Sequence, residues 1–294
     1  MIDSAVVGLH FPRRETTVST RRMLAYAAGI GDLTPAVFDD SAPDFMAHPA
    51  LCVSLEWPVV SDPGMAATLV PEAADRLRAM HLIQDSTFHR PIRAGERLAT
   101  GGTVTGVWRG NSGTRTACTL QTVDAQGAAI VTSRTVALYR GVEATGEDRP
   151  PAEEAPLPSA PKASECAGFE SVLDIDAALP HRYTECAGIW NPIHTERRVA
   201  RTAGLPDILV HGTATWAMAG SAIVARCAPG APGLLRRLRG RFGALVMPRS
   251  ALRLRASLQH DAEGCHVHFE VLTPAGDAAI ADGYALLTHP AAHP

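Results

Sequence analysis

The sequence predicts an α+β fold made of two similar modules, and three observations lead to this prediction. Each half contains one long apolar segment with helical character, and each half ends in Thr- and Val-rich strands with turn signals about every ten residues. A Pro-rich, acidic segment separates the two halves. A long helix lying against one face of an antiparallel sheet, present twice, accounts for all three.

The separating segment covers residues 144–164 and holds five prolines, several acidic residues and almost no large apolar side chain. Such a composition does not form a packed element. We therefore expect an N-terminal module at residues 1–143, a linker at residues 144–164 and a C-terminal module at residues 165–294. Within the linker, residues 150–161 should cross between the modules as an irregular strap.

In each half, a helical pattern precedes the strands. The longer helices are predicted at residues 50–60 and 213–227, and Thr213 is a suitable residue to cap the second helix. The predicted strands are residues 96–107, 114–123 and 128–139 in the first half, and residues 236–245, 251–260, 265–273 and 278–287 in the second.

Composition narrows the class of protein. With 46% hydrophobic and 19% charged residues, the 294-residue chain can bury a sizeable core, and its net charge of -3 gives no reason to expect nucleic acid as a partner. No stretch of about 18 apolar residues and no signal-peptide run is present, so we expect a cytoplasmic protein without a membrane partner. The six cysteines show no C-x-x-C spacing, so we expect buried thiols, no metal and no cofactor.

The most informative segment is residues 183–212, YTECAGIWNPIHTERRVARTAGLPDILVHG. It resembles the signature of MaoC-like and R-specific enoyl-CoA hydratases, in which an aromatic-led helix runs into S-G-D-x-N-P-x-H, followed by a basic helix, A-G-x-P and a terminal H-G. As in that family, the terminal glycine follows the motif histidine by eighteen positions. The matching residues are Gly188, Trp190, Asn191, Pro192, Ile193, His194, Ala203, Gly204, Pro206, His211 and Gly212.

This resemblance implies an α+β double hot-dog fold, in which one half supplies the reactive loop and the other helps to form the wall of an acyl tunnel. The resemblance extends over essentially the whole chain, since the strands after Gly212 and residues 90–95 also look like family features. The implied activity is that of a hydratase or dehydratase acting on a 2-enoyl or 3-hydroxyacyl thioester of CoA or of an acyl carrier protein.

The sequence departs from the family pattern at one decisive position. Two residues before Asn191, where the motif has an aspartate, the chain has Ile189. In the family that carboxylate works with the histidine on the water that adds to, or leaves, the β-carbon, so the resemblance implies an incomplete acid/base pair. The N-terminal half shows the opposite defect, because it keeps Asp32 but has Val37 in the histidine position. We do not expect Asp32 to reach His194, because the loops of two fused modules should occupy separate sites.

Glu185 is a candidate to replace the missing carboxylate. It lies four residues before Ile189, and therefore on the same face if this segment is helical. The alternative interpretation is that Glu185 is a solvated helix residue.

Three residues carry the predicted chemistry. His194 is the expected base, because an imidazole with a pKa near its ordinary value of about 6.5 accepts a proton at neutral pH without a metal. Asn191 would orient the histidine or the substrate, or else stabilise the loop. Gly212, at the predicted start of the long helix, would donate its backbone N–H to the thioester oxygen, on which negative charge develops during addition. The alternative for Gly212 is a plain helix-start glycine.

Two basic clusters are candidates for binding the phosphates of CoA or of a phosphopantetheine arm. In the first cluster, residues 197–201, the preferred ligands are Arg197 and Arg201. The second cluster, at residues 236–241, has alternate arginines that suit one face of a strand. We expect most of these side chains to be solvated surface residues.

Other functions remain open. A thioester isomerase or a cyclase that performs an intramolecular oxa-addition needs only one base, which fits the Ile189 change. A catalytically decayed acyl-thioester-binding protein would keep the fold without the reaction. A thioesterase is a weaker alternative, because residues 212–216 contain no acidic side chain. A homodimer is also left open.

Overall fold

The structure is a computed structural model that describes residues 1–153, 156–160 and 167–289. The strands of the N-terminal half are β1 (Ile2–Asp3), β2 (His10–Thr17), β3 (Ala79–Phe88), β4 (Arg97–Gly110), β5 (Gly113–Val123), β6 (Ala129–Arg140) and β7 (Ala144–Thr145). Its helices are α1 (Thr20–Ile30), α2 (Pro35–Phe38), α3 (Cys52–Val60), α4 (Pro63–Leu69) and α5 (Ala73–Arg76).

The C-terminal half repeats the same plan. Its strands are β8 (Ala167–Ile175), β9 (Leu235–Phe242), β10 (Ser250–His260), β11 (Gly264–Leu272) and β12 (Ala278–Thr288). Its helices are α6 (Leu179–Ala187), α7 (Arg197–Thr202) and α8 (Gly212–Cys227). Short 3-10 turns occur at Ser4–Val6, Pro49–Leu51, Pro192–His194 and Pro232–Leu234.

Ten of the described strands form one sheet in the order β2-β4-β5-β6-β3-β9-β12-β11-β10-β8. The two halves meet where β3 pairs antiparallel with β9, from Ile83 opposite Arg241 to Thr87 opposite Arg237. The buried Asp85 of β3 accepts two hydrogen bonds from the Arg237 guanidinium, at 2.8 and 2.6 Å. This bidentate ion pair reinforces the backbone hydrogen bonds between β3 and β9 that join the halves.

The helices lie on the sheet and meet each other across the junction. Helix α3 contacts β2, β4 and β5, whereas α8 contacts β8, β9, β11 and β12, so each long helix covers its own half. Helices α1 and α6 pack against each other, and their tyrosines Tyr26 and Tyr183 are fully buried with hydroxyl oxygens 3.5 Å apart. Trp216 of α8 is also fully buried, and residues of both halves belong to one continuous core.

The α+β prediction is confirmed, and the predicted long helices and meander strands are present within a few residues of their predicted bounds. The sequence analysis missed β2, β3 and β8. Each half therefore begins with a strand, whereas a helical pattern was expected at the start of each half. The reason is that their apolar alternation is weak: β3 carries polar side chains on both faces of the sheet, and β8 buries only two residues, Leu173 and Ile175.

The first residues of the predicted linker are paired. Strand β7 runs parallel to β1, and Arg149 forms a β-bridge with Val107. The segment up to Arg149 is therefore attached to the N-terminal half, and the irregular path begins after it. The module boundaries at residues 143 and 165 stay predictions, and residues 154–155 and 161–166 lie outside the described part of the chain.

A polar cluster lies inside the N-terminal half, around Glu56 of α3. Glu56 is buried and accepts hydrogen bonds from Ser133 and Gln84. Burial raises the pKa of its carboxyl group to about 7, and the two hydrogen bonds offset only part of this effect. The carboxyl group is therefore protonated in the folded protein at pH values where it ionises in the unfolded chain.

This predicts a specific pH dependence of stability for the Glu56→Gln variant. As pH rises from about 4.5 to 7, the unfolded chain loses the Glu56 proton while the folded protein keeps it, so the wild type loses stability in this window. Gln does not titrate. The free energy of unfolding of the variant minus that of the wild type should therefore rise by roughly 3 kcal/mol across the window, measured by urea unfolding. A difference independent of pH would contradict the prediction.

Candidate active site

The motif loop follows directly from the end of α6. Gly188 ends the helix with φ of 65°, a left-handed conformation that favours glycine, and Ile189 N donates to Thr184 O at 3.1 Å. Asn191 then begins the 3-10 turn, where its Oδ1 accepts from Ile193 N at 3.4 Å. The loop therefore turns away from the helix axis before it reaches His194.

The His194 ring is held in one tautomer. Its Nδ1 lies 2.9 Å from the Leu209 carbonyl oxygen, which only accepts, so Nδ1 carries the hydrogen and Nε2 carries a free lone pair. Burial lowers the pKa of His194 to about 4, and the hydrogen bond to Leu209 opposes this only in part. At neutral pH the ring is therefore uncharged, with a nitrogen able to accept a proton.

His211 lies directly against His194. The two imidazoles stack with ring centroids 3.6 Å apart, and His211 Nε2 lies 3.2 Å from the Ile189 carbonyl oxygen. Burial lowers the pKa of His211 well below its usual value, and the neighbouring His194 adds to this effect. Its Nδ1 is buried and has no hydrogen-bond partner in the described part of the chain.

Gly212 is the first residue of α8, immediately after His211. At this position the backbone N–H has no partner within the helix and lies at the positive end of the helix dipole. A Cβ atom added here would lie 3.0–3.2 Å from the Phe242 ring. The His81 ring of β3 packs on Phe242 with centroids 5.0 Å apart, so the N-terminal half helps to form the wall beside Gly212.

The predicted replacement of the missing carboxylate by Glu185 is wrong in this structure. The Glu185 side chain is exposed, whereas Ile189 is buried at 4% exposure. The spacing of four residues would bring the two together on one helix face, but α6 ends at Ala187 and the left-handed Gly188 redirects the chain. Glu185 is therefore a solvated helix residue.

The N-terminal loop shows what the aspartate position contacts when a carboxylate is present. Asp32 Oδ2 lies 3.5 Å from His48 Nε2, and that nitrogen lies 3.0 Å from the Ser221 hydroxyl of α8. His48 precedes Pro49 as His211 precedes Gly212, and Val37 is buried. Asp32 therefore pairs with His48 of its own half, and the expectation that it does not reach His194 stays a prediction.

The arginines of the two basic clusters differ in their surroundings. Arg197 Nε lies 2.9 Å from Asp207, and Arg201 is exposed on α7. The second cluster lies on β9, as its spacing predicted, and its members Arg237 and Arg241 bind carboxylates of neighbouring strands. Phosphate binding by Arg197 and Arg201 stays a prediction.

Among the described residues, no three His, Cys, Asp or Glu side chains come together in a way that could hold a metal ion. Within the same residues, no helix is long and apolar enough to cross a bilayer.

Of the predicted site residues, the structure stacks His194 on His211, the residue before Gly212, and it places Asn191 on the same loop as His194. The sequence analysis listed His211 only as a motif match and gave it no role. The signal that could have found it is the histidine of the terminal H-G, which recurs in the N-terminal half as His48 before Pro49.

Comparison with known protein families matches both halves. The MaoC like domain model matches residues 163–277, and the FAS1-like dehydratase domain region matches residues 5–133. The peroxisomal multifunctional enzyme type 2 of Drosophila melanogaster is 24% identical over 275 residues, which cover 90% of this chain and 45% of that enzyme. The chain thus spans less than half the length of this relative.

Solved structures share the architecture. The MaoC-like dehydratase of Phytophthora capsici superposes with a TM-score of 0.80 at 20% identity, covering 96% of each chain. A Mycobacterium tuberculosis protein with a double hot-dog fold superposes with a TM-score of 0.62 at 16% identity, again covering 96% of each chain. These likenesses confirm the predicted double hot-dog fold. The chain thus contains a MaoC-like domain at residues 163–277 and a FAS1-like dehydratase domain region at residues 5–133.

Proposed function

We propose that the chain is a hydro-lyase that adds water to a 2-enoyl thioester or removes it from a 3-hydroxyacyl thioester. The observation that carries the proposal is the neutral His194 ring, whose Nε2 lone pair is free while the ring stacks on the residue that precedes α8. A base and an N–H donor at a helix N-terminus are two of the groups that this reaction uses. The match of residues 163–277 to a MaoC like domain supports the same reaction class.

In the addition direction, the thioester oxygen accepts a hydrogen bond from the Gly212 N–H. His194 Nε2 takes a proton from water while the water oxygen bonds to C3, and the displaced electron pair forms an enolate on the thioester oxygen. The protonated His194 then gives its proton to C2, so that one water is added in total. Dehydration follows the same steps in reverse.

For the carrier we propose CoA or an acyl carrier protein, with Arg201 and Arg197 as phosphate ligands. Arg201 is exposed, while Arg197 already lies beside Asp207. The charge of Arg201 also acts on Asp207, so a phosphate would share both arginines with that carboxylate. Because the closer ion pair is the one with Arg197, we expect Arg201 to contribute more. A cytoplasmic location stays part of the proposal.

A second candidate function is a one-base isomerase or cyclase, and the buried Ile189 side chain is the observation that favours it. Moving a double bond needs a single proton carrier, and an internal hydroxyl nucleophile needs less activation than water.

An assay with purified protein tests both functions. Hydration of crotonyl-CoA and of longer 2-enoyl-CoAs is measured as loss of the absorbance of the conjugated double bond. Conversion of 3-enoyl-CoA to conjugated product without hydration would favour the isomerase.

The pH dependence of the hydration rate should report the protonation of His194. Because burial lowers its pKa to about 4, the ring stays unprotonated down to that pH, and kcat/KM should fall only as pH drops through this region. We expect a level profile from about pH 6 to 8, measured with a circular dichroism check of folding at each pH. An inflection near 6.5, the ordinary histidine value, would contradict the buried, neutral His194.

The Gly212 N–H can be removed by the Gly212→Pro variant. His211 has φ of -62° and ψ of 133°, which suits a following proline, and Pro49 occupies the equivalent position after His48. We expect kcat to fall by about 10²- to 10³-fold, because one oxyanion donor is lost. Gly212→Ala is the matched control, since its Cβ meets the same Phe242 ring but the N–H remains. Equal losses in both variants would show that crowding, not the N–H, is responsible.

A carboxylate restored at position 189 should raise hydration of a short enoyl-CoA. In the Ile189→Asp variant it would stand where the family has its water-activating group, and the His194→Ala change should abolish both this gain and the native activity. Initial rates and thermal unfolding should be measured together, because a buried carboxylate destabilises a loop that is shaped for isoleucine. If a folded Ile189→Asp protein hydrates nothing and His194→Ala leaves native activity intact, the hydro-lyase proposal fails.

A further inference from the structure

The two histidines that precede the long-helix segments have different hydrogen bonds. In the N-terminal half, both ring nitrogens of His48 are used: Nδ1 accepts from Ala50 N at 3.1 Å, and Nε2 lies beside Ser221 and Asp32. In the C-terminal half, only Nε2 of His211 has partners, the Ile189 carbonyl oxygen at 3.2 Å and the Thr184 hydroxyl at 3.4 Å. The Nδ1 atom of His211 is buried and unpaired within the described residues.

The residue in the aspartate position accounts for part of this difference. Asp32 presents its carboxylate to the His48 ring, whereas Ile189 offers the His211 ring only its backbone oxygen. A carbonyl oxygen accepts but does not donate, so Nε2 of His211 carries the hydrogen and Nδ1 carries a lone pair. A buried acceptor without a donor is unfavourable, which makes this nitrogen a place where a donor from a ligand would bind.

The unpaired Nδ1 atom of His211 belongs to a ring that contacts the proposed base. The His211 ring stacks on His194, whose Nε2 lone pair is the proposed base, and the next residue is Gly212, whose N–H has no partner within helix α8. Two stacked neutral imidazoles, each with a lone pair on one nitrogen, thus lie where α8 begins, and one of them belongs to the residue before the Gly212 donor. The N-terminal half lacks this set, because Val37 replaces the base and Pro49 has no N–H.

We propose that His211 Nδ1 takes over the water-holding part of the missing aspartate, and this rests on the hydro-lyase function proposed above. His211 Nδ1 accepts a hydrogen bond from one O–H of the attacking water, while His194 Nε2 accepts the proton of the other O–H. The water oxygen bonds to C3, His211 remains neutral, and His194 returns the proton to C2. In dehydration, the 3-hydroxyl group of the substrate leaves by the same contacts.

The test is a double-mutant cycle between positions 211 and 189. His211→Gln keeps an amide N–H for the Ile189 carbonyl, but its amide oxygen is one bond further from Cβ than Nδ1 is, so no acceptor remains at the Nδ1 position. We expect its kcat to fall by at least about tenfold, with KM changed less. Adding Ile189→Asp should restore turnover, and the gain should be larger than in the wild-type background, because the carboxylate then supplies the lost acceptor.

A control variant separates catalysis from packing. His48→Gln makes the same change at the equivalent buried position outside the proposed site, and we expect it to lower thermal stability without the kcat loss of His211→Gln. The proposal is overturned if Ile189→Asp does not restore turnover in folded His211→Gln protein. It is also overturned if Ile189→Asp raises turnover equally in the wild-type and His211→Gln backgrounds.

An NMR experiment on the wild type covers the case in which His211→Gln does not fold. In imidazole-labelled protein, the Nδ1 nitrogen-15 resonance of His211 should move upfield when (R)-3-hydroxybutyryl-CoA binds, because its hydroxyl donates to that nitrogen. Binding without a shift overturns the role of His211. If the resonance shifts but the protein neither hydrates nor dehydrates its substrate, His211 binds the hydroxyl group and the hydro-lyase proposal is wrong. If the protein turns over and His211→Gln leaves kcat unchanged, the hydro-lyase proposal stands and the role of His211 is wrong.

Discussion

The pairing of β3 with β9 is the interaction on which the remaining architecture depends. It turns two five-stranded sheets into one, and the Arg237–Asp85 ion pair reinforces it at its centre. Because the sheet is continuous, α1 is brought against α6, and His81 of the first half is brought against Phe242 beside Gly212. The candidate site therefore needs both halves, although the residues proposed to do chemistry all come from one.

Burial sets the chemical character of the site. It keeps both imidazoles uncharged, and two backbone carbonyl oxygens, those of Leu209 and Ile189, decide which nitrogen of each ring carries the hydrogen. Backbone acceptors are well suited to this role because they neither titrate nor change rotamer. The loop thus presents lone pairs of defined position, at the expense of basicity, since a histidine with a pKa of about 4 holds a proton only briefly at neutral pH.

The sequence was informative where a pattern reports a local property. The long helix α8 begins one residue before its predicted start, and the motif histidine stacks on the residue that precedes the helix-start glycine. The analysis failed where tertiary structure decides. The spacing predicted that Glu185 lies near Ile189, but the left-handed Gly188 ends the helix between them and redirects the chain. Strand β3 was not predicted because Gln84 and Ser86 make its buried face polar. The unpaired nitrogen of His211 had no sequence signal, because it depends on where a neighbouring carbonyl oxygen points.

The fusion of two modules has a genetic consequence that follows from Pro49 and Gly212. In an assembly of identical subunits, any codon change appears in both copies of a site, so a proline that removes a helix N–H would remove it everywhere. In a tandem chain each copy has its own codon. One loop can therefore lose its helix N–H donor while the other keeps it. The buried side chains of the two halves can diverge in the same way: Glu56 lies eight positions after His48, whereas the residue eight positions after His211 is the apolar Ala219. Duplication here permits division of labour within a single gene product.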